Sequence, residues 1–191
     1  MNLVFFLIVV AGIVLLVMQQ QGKLPFASPK QKLPPAERNV FNLEIGDIVQ
    51  HDGIDWFVEG KLVYNDGSDS WFEYLLRDED SILWLAVEED DFVEVSILKE
   101  IDLDVVIPPR QVISFAGIEY KQIASGTATA MRLGNTLNRQ EQKCEYYDYK
   151  ASGLHRLSVE IWGNDIEVTV GQKINPRSLC FLPGDGQKVY G

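Results

Sequence analysis

Two dipeptides, Glu73-Tyr74 and Glu145-Tyr146, set a carboxylate beside a phenol at matching places in two similar stretches. Residues 71–95 read WFEYLLRDEDSILWLAVEEDDFVEV, and residues 144–168 read CEYYDYKASGLHRLSVEIWGNDIEV. Leu85-x-Val87-Glu88 falls on Leu157-x-Val159-Glu160. With one inserted residue, Glu94-Val95 falls on Glu167-Val168. If the duplication turns Glu73 and Glu145 inward toward one another, the pair can hold a cation or polyamine, or shift each other's pKa. The plainer expectation is that each pairs across its strand with a base such as Arg77 or Lys150.

A second acidic feature, Glu88, Glu89, Asp90 and Asp91, reads as a solvated turn that can also dock a basic partner or a divalent cation. The acids of residues 65–70 (NDGSDS) lack the spacing and the distal Glu of a calcium loop. Cys144 and Cys180 form no CxxC and no Cys/His cluster, so no metal centre is expected, and two unpaired, buried thiols are. His51 and His155 fall at different points of the repeat and do not make a duplicated site. There is no GxSxG, no P-loop, no HExxH, and no GxGxxG opening a helix. The chain is therefore expected to catalyse nothing and to need no cofactor. A binding module for a protein partner or ligand is the first reading. A cation- or polyamine-binding sensor built on the acidic first unit is the second.

Charge narrows the partners. The net charge of −11 argues against nucleic acid, whose affinity rests on Lys and Arg neutralising phosphates. Residues 40–104 carry 19 acids against three bases, whereas residues 105–191 carry 8 acids against 10 bases. The two halves share a pattern but differ electrostatically, which gives them different faces to present.

These residues must be positioned by β structure. Short segments of β-branched and aromatic residues alternate with turn signals about every ten residues. Asp52-Gly53 marks a hairpin, and Gly53-Ile54-Asp55-Trp56 is matched by Gly117-Ile118-Glu119-Tyr120. Gly60 interrupts its strand and suggests a bulge or a close strand approach. The polar stretch 125–142 reads as a long hairpin or a mobile loop. The expected fold is all-β: two tandem antiparallel units, residues 40–104 and 105–191, forming a sandwich or barrel-like pair by internal duplication. Trp56, Trp71 and Trp84 are expected in its core.

Ahead of them, residues 1–18 (MNLVFFLIVVAGIVLLVM) are apolar on every face and span roughly 27 Å as a helix, enough for a bilayer. No base precedes the run and no small-x-small site closes it, so an uncleaved transmembrane anchor over residues 1–21 is expected. Residues 22–39 hold four prolines and four bases and read as a tether. Bases lying only after the span place the N-terminus outside and the β region in the cytoplasm.

The pattern GIDWFVEG from Gly53, Trp71-Phe72-Glu73-Tyr74 and Trp84-Leu85 resembles the bacterial family of domains of unknown function numbered 4178. The resemblance covers roughly residues 44–182, with Trp56 where Tyr is the family's usual residue. It implies a β-rich module and transfers no catalytic residue.

Overall fold

The structure, a computed structural model, describes residues 38–89, 91–139 and 142–184. The expected membrane span and nearly all of the tether lie outside the described residues. Among those described, no helix is long and apolar enough to cross a membrane.

The first half supplies β1 (Ile48–His51), β2 (Ile54–Asn65), β3 (Ser70–Asp78), β4 (Ser81–Glu89) and β5 (Val93–Ile101). The second supplies β6 (Val112–Phe115), β7 (Ile118–Gly134), β8 (Lys143–Lys150), β9 (His155–Trp162) and β10 (Asp165–Ile174). A 3-10 turn at Pro176–Ser178 leads to β11 (Cys180–Leu182). Neighbours in the order β2-β3-β4-β5-β10-β9-β8-β7 pair antiparallel, and β7 pairs back to β2. Eight strands thus close an antiparallel barrel, four from each half. β1 and β11 extend the sheet beyond β2, and β6 extends it beyond β7. The stretch 125–142 is mostly strand: β7 is continuous to Gly134, and the connection to β8 begins only at Asn135. Residues 121–129 of the long strand include its partners to β8, and residues 129–134 cross onto β2.

Alternation divides the apolar residues into three cores. Leu62, Tyr64, Leu75, Trp84, Ala86, Leu98, Ala128, Cys144, Tyr146 and Trp162 fill the barrel interior. The reverse face of the first half carries Val58, Tyr74, Leu76, Leu85, Val87 and Val95, covered by Val49 and Leu179. That of the second half carries Tyr120, Tyr149, Leu157, Val159 and Val168, with Ile113 and Phe115 of β6 against them. β2 contributes to two cores because a bulge between Val58 and Gly60 switches which face its even-numbered residues take. Gly60 is required there, since a Cβ would run into the Asn135 carbonyl. Trp56 and Trp84 are buried and Trp71 is half-buried. Both cysteines are free, but only Cys144 is buried; Cys180 is on the exposed three-residue edge strand β11.

The duplication is visible in the pairing. Val95 of β5 pairs with Ile174, and Val168, which follows Glu167 as Val95 follows Glu94, pairs with Ile101. Leu98 pairs with Gly171, its own repeat counterpart, so a pseudo-twofold axis passes between β5 and β10. The β1–β2 and β6–β7 turns repeat the same backbone: Asp52 and Ala116 at φ 50°, then Gly53 and Gly117 at φ 79°. Both are two-residue turns with positive φ.

The register of the repeat differs from that read in the sequence. Leu85 pairs with Tyr74, and its counterpart Leu157 pairs with Tyr149, not Tyr146. Between the equivalent pairs Leu75–Trp84 and Lys150–Arg156, the first half has eight residues and the second five. That deficit of three, an odd number, means the chance match Glu145-Tyr146 points its side chains to the wrong faces. The structural counterpart of Glu73-Tyr74 is Asp148-Tyr149.

Candidate binding site in the barrel

Arg139 lies on the β7–β8 connection and enters the barrel, where it is 1% exposed. Asn135 holds the start of that loop: its N–H donates to the Glu59 carbonyl (2.9 Å), and its side chain donates to Glu59 Oε2 (3.0 Å). Inside, the guanidinium meets three carboxylates. Its Nε donates to Glu167 Oε2 (2.5 Å), and its Nη1 donates to Glu73 and lies 3.2 Å from Glu160 Oε2. Nη1 also donates to the Tyr64 hydroxyl (2.9 Å), which donates on to Glu160 (3.2 Å). Trp162 Nε1 donates to the same Glu160 oxygen (2.9 Å), and the Trp84 ring stacks 3.9 Å from the guanidinium carbon. One cation thus sits among three carboxylates in a water-excluded space. Burial pushes the Glu73 carboxyl up, against the pull of Arg139. Burial likewise pushes Glu160 up to about 7.

Each member of this triad has a counterpart in the other half. Asp148 answers Glu73, Glu88 answers Glu160, and Glu94 answers Glu167. None of them shares a central arginine as the first triad shares Arg139; Arg156 flanks them, in ion-pair range of Glu94. Glu94 is held below the usual carboxylate range by the ammonium of Lys173, with Arg156 at 3.6 Å. Asp148 accepts from Ser158 Oγ (2.7 Å), and burial pushes it up to about 6. Glu88 stands at the rim with open surface on one side. The protein crowding it on the others, with Asp148 and Glu94 nearby, pushes it up to about 7.

Members of both triads border a cavity of about 110 Å³ lined by Glu73, Glu88, Glu94, Asp148 and Glu160, with Arg156 as its one cation and Trp71 and Tyr146 as aromatic walls. That is room for several waters or one cationic head. It opens on a mouth of about 450 Å³ that adds Asp66, Asp69 and Glu89. Aromatic rings line the route: Tyr146 meets Trp71 edge-on (5.1 Å), and Trp71 stacks on Tyr64 (4.8 Å). Tyr146 donates to Asp66 (2.8 Å), which also accepts from the Ser68 and Asp69 amides (2.9 Å each). These hydrogen bonds hold the Asp66 carboxyl far below its ordinary range.

Of the residues singled out in the sequence, Glu73, Tyr146 and Glu88 come together at this cavity. Tyr74 faces the first reverse core, and Glu145 is exposed. Glu89 reaches the mouth, Asp91 is exposed, and Asp90 lies outside the described residues. Sequence reasoning missed Arg139, Asp148, Glu160 and Glu167 as site residues. The matches Glu88/Glu160 and Glu94/Glu167 were the available signal, since each puts a carboxylate at the same strand position twice.

A family model for a domain of unknown function, DUF4178, matches residues 44–176, which takes in the barrel from before β1 to the end of β10. The chain belongs to this family. It is also 29% identical to an uncharacterized protein of Mycobacterium bovis, and equally to two from Mycobacterium tuberculosis strains, over 93% of this chain and 92% of theirs. That coverage reaches into the first 37 residues. No solved structure matches the chain.

Proposed function

We propose that the protein is a non-catalytic binding module that takes a small organic cation, of the guanidinium or ammonium class, into the open half of the barrel. One observation carries this reading: the carboxylate triad that holds Arg139 is repeated across the pseudo-twofold, and the repeat faces a cavity. Asp148 and Glu88 make no ion pair among the described residues. An eight-stranded barrel is wide enough to fill with side chains or hold one small ligand. The aromatic walls favour an organic cation over a metal ion, and among the described residues no His/Cys/Asp/Glu group is arranged to hold a metal. A diamine or polyamine fits best, one ammonium in the cavity and the next among Asp66, Asp69 and Glu89 at the mouth.

Titration calorimetry with agmatine, putrescine and spermidine tests this. Binding must displace protons from Glu88, Asp148 and Glu160, so affinity rises about tenfold or more from pH 5.5 to 8. The double variant Glu88→Gln/Asp148→Asn abolishes the heat. A flat titration for all three amines at pH 8, or unchanged binding in the double variant, overturns the reading.

The apolar run and basic tether add a place: a single-pass protein with the barrel on the cytoplasmic side of its membrane. The reach of the mycobacterial match into the first 37 residues supports a shared segment there. Full-length chain is expected to stay in the membrane pellet through alkaline extraction. Release into the supernatant removes the anchor.

A further inference from the structure

The face of the β5–β10 seam opposite the barrel interior carries a groove of about 520 Å³, the size of small-molecule sites. It lies on the pseudo-twofold axis. Its floor is the strand pair Lys99–Val170, with Leu83 also lining it, and the row Ile97, Gln172, His155, joined by strand pairing. The two hairpin tips wall it, with Ile54 and Trp56 on one side and Ile118 and Tyr120 on the other. Every side wall is duplicated: Ile54 matches Ile118, Trp56 matches Tyr120, and Ile97 matches Val170.

Shape has been kept across the axis while polarity has not. His155 stands where the first half has Leu83, Lys99 where the second has Gln172, and His51 where the second has Phe115. A groove serving only to pack two halves has no use for such differences, because polar groups on an apolar floor weaken packing. The result is an apolar, aromatic-walled slot with Lys99 on one row of its floor and Gln172 and His155 on the next. Lys99 makes no ion pair among the described residues. The lone carboxylate, Asp52, is at the rim, its side chain 84% exposed and 3.5 Å from His51. In a chain of net charge −11, this floor presents donors and a cation instead of acids.

We propose that the dyad groove is a second ligand site, distinct from the barrel cavity, and that it takes a flat aromatic carboxylate. The ring lies between Trp56, Tyr120 and Phe115, and the carboxylate meets Lys99 with Gln172 and His155 beside it. Ring burial supplies affinity, and the charge-assisted contact to Lys99 fixes orientation.

The test is calorimetry on the full-length protein with 2-naphthoate, and with 2-naphthylmethylammonium as the charge-reversed probe. 2-Naphthoate binds the parent chain. Lys99→Gln with His155→Leu, which gives each position its counterpart's residue, weakens binding at least tenfold. Ile118→Trp fills the slot and abolishes 2-naphthoate binding while leaving spermidine binding unchanged. Thermal unfolding of each variant confirms that it is folded. No 2-naphthoate binding at millimolar concentration, 2-naphthylmethylammonium binding that matches that of 2-naphthoate and is lost in the Ile118→Trp variant, or full binding in the Lys99/His155 variant overturns the proposal.

Discussion

The two carboxylate triads in the barrel are products of one duplicated sequence, yet they solve the same electrostatic problem differently. Glu73, Glu160 and Glu167 are buried and share Arg139, delivered by a loop the first half lacks. Between the first half's β2 and β3 only four residues intervene, too few to reach inward, and there the turn Asp66–Asp69 stays at the mouth. Asp148, Glu88 and Glu94 therefore have no plug. Lys173 and Arg156 reach Glu94 from the side, and the other two carboxylates respond by holding protons more tightly. A duplicated acidic cluster is closed around a cation where the chain supplies one, and is left facing a cavity where it does not.

Removing the cation from the closed triad breaks this contrast most sharply. Arg139→Met leaves three buried carboxylates without a partner, and breaking a buried pair in this way costs about 3–5 kcal/mol. Urea unfolding at pH 7.5 is expected to show that loss. Much of it returns at pH 5, where the freed carboxylates take up protons. Methylguanidine added to the variant is expected to raise its unfolding midpoint, because it restores the missing group. A loss under about 1 kcal/mol, or no response to methylguanidine, means that the closed triad is not held by its arginine and cannot serve as the pattern for the open one.

The barrel strands and their turns were legible because alternation and Asp-Gly or Ala-Gly turn chemistry are local properties. Closure was not, since the β2–β7 pairing joins residues about 70 apart and depends on Gly60 and Gly134 letting two backbones cross. The candidate site was half legible. Glu73 and Glu88 stood out as strand carboxylates in a repeated stretch. Glu145-Tyr146 misled because identity at a fixed spacing outscored parity. Only the three-residue deficit in the β8–β9 hairpin shows that Asp148-Tyr149 is the true counterpart. Arg139 carried no signal of its own, being one base in a polar connection, and its role comes entirely from where the loop folds.

The two triads together also have a smaller signature, in the pH dependence of stability. Glu88 and Glu160 titrate near 7 in the folded chain and Asp148 near 6, all above their unfolded values. Between about pH 4.5 and 7 the folded state therefore binds more protons than the unfolded one, and stability falls as pH rises through that window. Glu94, held low by Lys173, works the other way, but above about pH 5.5, a unit past the ordinary carboxylate value, it is ionised in both states and adds nothing. Glu88 is exposed and its share is screened by solvent, so the expected decline from pH 5 to pH 8 rests on Asp148 and Glu160 and is on the order of 2 kcal/mol, since a tenfold change in a proton's affinity corresponds to about 1.4 kcal/mol and the groups are not independent. Asp148→Asn, which removes a group from the open triad only, flattens the curve and stabilises the protein at pH 8 by about 1 kcal/mol. Glu145→Gln, on the exposed face, leaves it unchanged. Denaturant midpoints measured across the range decide between them. A curve that rises from pH 5 to 8, or that responds equally to both substitutions, shows that Asp148 is not an unmatched buried charge, and removes the electrostatic reason for a cation to enter.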